Sequence, residues 1–220
     1  MYQANGKPTI FGDFVLLLVS IMINSLGNAL TVSLNLGSAM WTASAVNLSH
    51  LFPVSLGNML LLEGVAVVAV NAVLLHHADW HRMLGNFCFM IPFSYLVSGL
   101  AALMVRSSIN SLPLIPRVLL DIVGIMLIAA GISIYQRINL ILHPNDDLMQ
   151  IIRFRFLHGN AILAQLVAYA TPITIIIITL IVKHTIWAVN IGTLVALIFQ
   201  GSFIATSDKW VFRKLKHQRL

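Results

Sequence analysis

Six apolar segments of about twenty residues each dominate this chain, and as helices they match the hydrocarbon thickness of a bilayer. They run approximately over residues 11–34, 53–75, 84–105, 113–136, 161–182 and 186–206. Lipid offers no hydrogen bonds, so a segment crossing it must pair its own backbone groups, which makes each of these a transmembrane helix. Composition agrees, with 59% hydrophobic and 9% charged residues, against about 25% charged in a soluble domain. A soluble globule is excluded, and six spans leave no room in 220 residues for a second, soluble domain. The predicted fold class is all-α, a polytopic membrane protein forming one membrane domain over 1–220.

The net charge of +6 does not point to nucleic acid, because the basic residues are scattered and form no stripe with interleaved aromatics. They read as topology signals. Lys7, Arg82, Arg137, Arg153, Arg155, Lys209, Arg213, Lys214, Lys216 and Arg219 fall on one face, whereas Arg106, Arg117 and Lys183 fall on the other. This asymmetry predicts cytoplasmic N- and C-termini. The tail over 208–220 sets aromatics beside Lys209, Arg213, Lys214 and Lys216, a composition suited to anionic lipid headgroups. The first apolar run continues through Gly27 and Ala29 with no small-x-small cleavage site, which argues against a cleaved signal peptide. Cys88, the one cysteine, lies in an apolar run and reads as a small buried hydrophobe.

The chain also matches itself. Gly27 to Ser44 lies on Gly131 to Leu148 at an offset of 104, bringing Gly27 onto Gly131, Ser33 onto Arg137, Asn35 onto Asn139 and Leu36 onto Leu140. Leu84-Gly85-Asn86 and Ile191-Gly192-Thr193 correspond in the third helices. Two groups of three spans, over about 9–106 and 112–207, follow from this match. An odd number of spans per group makes the repeats inverted. In each, the first helix runs into a short break or re-entrant segment, beginning at Gly37 in one and before Pro144 in the other. Pro144 ends the preceding helix, and Asn145 or Asp146 is placed to cap a new one carrying Leu148, Ile151 and Ile152.

At these residues the sequence resembles the YczE/YyaS/YitT-like bacterial integral membrane proteins. The resemblance covers nearly the whole chain: Gly27-Asn28-Ala29-Leu30-Thr31-Val32 to Asn35-Leu36-Gly37, Gly131-Ile132-Ser133-Ile134-Tyr135 to Asn139-Leu140, Pro144-Asn145-Asp146-Asp147-Leu148, and Ile191-Gly192-Thr193-Leu194 with Gly201. Met40 and Thr42 replace that family's proline and aspartate in the first half, and Ile141 and His143 replace two loop glycines in the second. The resemblance implies a bacterial membrane protein of this architecture and leaves its activity open.

Chemistry is sought among polar groups inside the spans, which cost several kcal/mol unless paired or hydrated. Glu63 in the second span and Asp121 in the fourth qualify; Asp13 and Arg117 lie near span ends. Glu63 is either a site or a carboxyl hydrogen-bonded to a neighbouring helix, and Asp121 either a site or the partner of Arg117 one turn away. Asp146, Trp41 and the repeated pair Asn35 and Asn139 complete the candidate substrate- or ion-binding set. His76-His77-Ala78-Asp79-Trp80-His81 lacks the spacing of a known metal set, and no phosphate loop or hydrolase motif is present, so no catalytic residue, metal or cofactor is expected.

Two function classes follow. The first is a small-solute transporter or permease-like protein, with its path between two inverted halves. The second is a non-enzymatic, partner-dependent membrane subunit, either a substrate-binding component or an accessory factor for another assembly; Gly27, Ala29, Gly124 and Gly131 serve either packing within the chain, the more usual role of such residues, or a docking face for it. Expected partners are the bilayer with its anionic headgroups, a small solute or ion, and a second copy or another membrane protein.

Overall fold

The computed structural model describes residues 9–216, so Lys7 and Arg219, used above as topology signals, lie outside the described residues. Helices joined by short turns and linkers make up these residues, without strands. The order is α1 (Ile10–Leu34), α2 (Met40–Leu51), α3 (Leu56–Leu75), α4 (Trp80–Arg106), α5 (Leu114–Ile138), α6 (Pro144–Ile151), α7 (Ala161–Lys183) and α8 (Ile191–Trp210). A 3-10 turn precedes α5 and a π-helical turn, Ile152–Phe156, extends α6. Six of these helices, all but α2 and α6, are long and apolar enough to cross a membrane. The protein is a polytopic membrane protein, and a short helix follows the first span of each half.

The central helices are built inside-out relative to a soluble bundle. On α1, Ser20, Asn24, Asn28 and Thr31 recur at helical spacing and are all buried, while Phe11, Phe14, Leu18, Met22 and Leu26 face outward. In lipid this arrangement pairs polar groups inside and leaves apolar side chains toward the acyl chains. Small residues let α1 and α5 approach closely. A Cβ on Gly27 would lie 2.6 Å from the Gly124 carbonyl oxygen and 2.8 Å from the Ile128 nitrogen. One on Gly131 would meet Asn24 Cβ at 2.7 Å. Since residue 27 faces 124–128 and residue 24 faces 131, the two helices run antiparallel.

Around this pair, α4 packs on α1 and α8 on α5. The short helices are exchanged between halves: α2 packs on α7, and α6 on α3. Helix α1 ends at Asn35 with φ 51° and ψ 37°, and α5 ends at Asn139 with φ 50° and ψ 36°. Asparagine tolerates this left-handed conformation, which closes a helix and redirects the chain. Each linker after these caps lies against a glycine of the other half. A Cβ on Gly85 would lie 2.8 Å from Ile141 Cγ2, and one on Gly192 would lie 3.1 Å from the Leu36 carbonyl oxygen.

Several boundaries and placements differ from the sequence reading. The last span starts at Ile191, not near 186, because the Asn190 side chain accepts the N–H of Ile191 at 2.8 Å and a reciprocal capping box with Thr193 fixes the start. Helix α4 starts at Trp80 because Asp79 Oδ1 accepts the Arg82 N–H at 3.2 Å. The cap of α6 is His143, with Pro144 at the first helical position, and not Asn145 or Asp146. Leu148, Ile151 and Ile152 are buried as expected. Cys88 is exposed on α4: its helix is apolar all round, so hydrophobicity alone did not mark the inner face.

Candidate functional site

A cavity of about 90 Å³ lies at the centre of the bundle, and all eight α-helices line it. The first half supplies Asn24 and Asn28 of α1, the start of α2 over Ala39, Met40, Trp41 and Thr42, Leu60 and Glu63 of α3, and Phe93 of α4. From the second half come Ile128, Ile132 and Tyr135 of α5, His143, Asn145, Asp146 and Met149 around α6, Ala168 and Tyr169 of α7, and Gln200 of α8. The beginnings of both short helices thus open on one space. Trp41, in the first turn of α2, also packs among Leu148 and Ile152 of the other half and Val67 of α3.

Each short helix is tied to the span before it through its third residue. Thr42 Oγ1 donates to Asn28 Oδ1 at 2.6 Å, and Asn28 Nδ2 donates to Asn24 Oδ1 at 2.7 Å. In the second half the Tyr135 hydroxyl donates to Asp146 Oδ2. Thr42 and Asp146 are the residues that the offset of 104 superposes. Further ties come from Asn71 Nδ2, which donates to the Pro144 carbonyl at 3.2 Å, and from Asn47, which bridges α2 to Trp187.

Glu63 is 8% exposed and its Oε1 lies 2.8 Å from Ser44 Oγ. The same hydroxyl lies 2.8 Å from the Trp41 carbonyl oxygen. A hydroxyl carries one proton. When Ser44 donates to Trp41, its link to Glu63 requires the proton to sit on the carboxyl; when Glu63 is ionised, Ser44 turns to it. By rotating, this one hydroxyl gives the Glu63 carboxyl a hydrogen bond in either protonation state. Outside the spans, burial raises Asp146 to about 6, opposed by the hydrogen bond from Tyr135 and assisted by the charge of Asp147. Burial pushes His143 down to about 3, so its ring is neutral and its Nδ1 accepts the Asn145 N–H at 3.3 Å.

Of the residues singled out from sequence, Glu63, Asp146 and Trp41 line the cavity. Asn35 and Asn139 do not: they are the left-handed caps of α1 and α5, and Asn35 is exposed. Asn139 borders a separate cavity of about 350 Å³ beside Arg82 and Asp147, which form an ion pair at 2.6 Å. Asp121 is also elsewhere, against the first turn of α8, where a Cβ on Gly192 would lie 1.9 Å from its Oδ2. The charge of Arg117, one turn away, acts on Asp121 as the spacing suggested, but no hydrogen bond joins the two. The guanidinium reaches the Leu34 carbonyl at the end of α1, an orphan acceptor of a helix terminus.

A model described as a family of unknown function, DUF6198, matches residues 11–209. The chain belongs to that family. No curated protein and no solved structure matches it.

In this DUF6198 member, sequence reasoning missed Tyr135, Tyr169, Gln200, Asn24 and Asn28 as cavity residues. Asn24 and Asn28 were legible as polar residues at i and i+4 in an otherwise apolar span. Gln200 and the tyrosines required the packing of α5, α7 and α8. Among the described residues no group of three or more His, Cys, Asp or Glu converges as metal ligands. The basic tail folds back as well as facing outward. Leu215 is buried against Leu16, Ile134 and Ile138, and Arg213 lies 4.5 Å over the Trp210 ring, while Lys209, Lys214 and Lys216 are exposed.

Proposed function

We propose that this protein is a non-enzymatic transporter of a small solute, with its path through the central cavity between two halves. The observation that carries the reading is the convergence of two broken-helix starts, one from each half, on a polar cavity inside a membrane bundle. Backbone departs from continuous helix at membrane depth only where it is buried in protein or lines a path. Inverted-repeat transporters use such breaks to present free helix ends to a substrate.

An inverted relation between the halves is part of the proposal. It is supported by the antiparallel α1 and α5, by their matching caps 104 residues apart, and by the reciprocal packing of α2 on α7 and α6 on α3. We read Glu63 as the proton-carrying carboxyl of the path. Its support is the Ser44 hydroxyl shared with the Trp41 carbonyl, which keeps a hydrogen bond to the carboxyl whether Glu63 is protonated or ionised. The motif resemblance to the YczE/YyaS/YitT-like proteins supports a bacterial plasma membrane, and the excess of Lys and Arg on one face supports cytoplasmic termini.

The test is flux into proteoliposomes, with and without a pH gradient, across amines, amino acids, carboxylates, sugars and ions. Solute flux that a pH gradient drives, and that Glu63→Gln uncouples from the gradient in a normally folded sample, is the expected result. Folded protein that moves nothing across this panel overturns the reading. Stoichiometric co-purification with another membrane protein would then favour the partner-dependent class.

A further inference from the structure

Resting on the transporter reading, we infer that the central cavity takes a small zwitterion, an α-amino acid of glycine or alanine size, with its carboxylate at the start of α2 and its ammonium at Asp146. No Lys or Arg lines the cavity, whereas Glu63 and Asp146 both do. A simple anion therefore meets two carboxyl groups and no cationic side chain.

The two helix starts are not equivalent. At α6 the His143 side chain accepts the Asn145 N–H, the His143 carbonyl accepts the N–H groups of Asp146 and Asp147 at 3.1 and 3.0 Å, and two acids occupy the first turn. That end is closed by its own residues and carries negative charge. At α2 the cap is Ala39, which has no side-chain acceptor, and the first turn holds no acid. Its first backbone bond runs from the Ala43 N–H to the Ala39 carbonyl at 2.8 Å, so the N–H groups of Met40, Trp41 and Thr42 have no acceptor among the described residues. A helix start with free N–H groups attracts a carboxylate, the more so away from water.

A second observation, independent of the helix end, also calls for a ligand. Gln200 is 8% exposed, lines the same cavity, and its side-chain amide makes no hydrogen bond among the described residues. Asn145 Oδ1 is likewise buried without a partner. Buried amides are ordinarily satisfied, and these two supply a donor and an acceptor for a polar occupant. On the acidic side, Asp146 uses one oxygen toward Tyr135 and keeps the other. Trp41 and Tyr169 also line this space.

A cation alone would leave the α2 start unsatisfied, and an anion alone would leave Asp146 unmatched; a zwitterion meets both and enters with no net charge. Size restricts the class. About 90 Å³ is less than the roughly 150 Å³ apolar cavity that holds benzene, so the ligand has few heavy atoms.

The experiment compares three probes of one shape on full-length protein in nanodiscs: alanine, its cationic amide alaninamide, and its anionic analogue propionate. Equilibrium binding is read alongside thermal shift, since a ligand of the folded state raises stability by mass action. Alanine is expected to bind at least about tenfold more tightly than either analogue, about 1.4 kcal/mol in binding free energy. Asp146→Asn and, independently, Gln200→Leu should each weaken alanine by about tenfold, with folding checked by size-exclusion profile. Alaninamide or propionate binding as well as alanine overturns the inference. So does a protein that binds or moves another solute class and no amino acid, although the transporter reading then stands. If a folded sample binds and moves no solute of any class, both fall.

Discussion

Arg137 is the most consequential residue that sequence reasoning misjudged. Counted there as a topology signal, it is 1% exposed and stitches the end of α8 and the tail to α5. Its guanidinium donates to the Val211 carbonyl at 2.9 Å, to Leu215 at 3.1 Å and to Phe212 at 3.2 Å, and pairs with Asp208 at 3.4 Å. The pair is buried on the Arg137 side and part-exposed on the Asp208 side, so stranding its partners costs less than the roughly 3–5 kcal/mol of a fully buried pair. Arg137→Met should therefore lower the Tm of detergent-purified protein by several degrees, and Asp208→Asn by less, because the carbonyl acceptors remain. Equal melting of Arg137→Met and wild type would show that the tail is not held this way. Asp146 carries a pH prediction. Its carboxyl is raised from 3.8 to about 6, so the folded state binds the proton more tightly and its contribution to stability falls as pH rises from about 4 to about 6. His143, lowered to about 3, has the opposite slope: its contribution falls as pH drops from about 6.5 toward 3. The two oppose each other in the wild type, so the difference in Tm between wild type and Asp146→Asn isolates the acid. That difference should move in favour of wild type as pH is lowered through this window. A constant difference from pH 4 to 7 would contradict the assignment.

Among the elements, the α1–α5 crossing and the two short helices bear the architecture. A side chain at Gly27 meets backbone on α5, which cannot swing aside, whereas Gly99 on α4 has nothing within 4 Å of its Cβ position. Gly27→Val is expected to cost at least the roughly 1–3 kcal/mol of an overpacked core, and Gly99→Ala to leave packing undisturbed. Thermal melts of the pair, made in parallel, check this; comparable losses would mean that the crossing is looser than described. The spans were legible because twenty apolar residues in a row have one stable solution in lipid. The short helices were less so. Pro144 announced a break, but α2 has no proline and no side-chain cap, and Met40–Leu51 is too short and mixed to declare itself by periodicity. Its helicity is held by packing on α7 and by the Thr42 and Asn47 hydrogen bonds.

For the whole molecule, the testable claim is orientation. The proposal places both ends of the chain on the cytoplasmic side, so a C-terminal reporter that is active only in the cytoplasm should be active. One inserted in the loop between α4 and α5, near Ser108, should be silent. The reversed pattern would reject this topology without touching the fold. The exchanged packing of α2 and α6 also makes each half incomplete alone: α7 loses its main packing partner without α2, and α3, which keeps α4 and α2, loses the face that α6 covers. Co-expressed as separate chains, residues 1–110 and 111–220 should assemble, and either one alone should fail to yield a monodisperse species.

The sequence by itself determined the number of spans, the internal offset of 104 and the carboxyl at position 63, because each follows from local composition or spacing. Tertiary structure alone decided which polar residues share a space. The caps at Asn35 and Asn139 turn the chain, so those asparagines end outside the cavity, and the residues just beyond them enter it. Gln200 and Tyr135, far apart in the chain, share a cavity because α8 packs on α5, and Asn24 and Asn28 join them because α1 and α5 cross at glycines. Spacing along one helix fixes a face. Which faces meet is set by close packing between helices, and no local pattern records it.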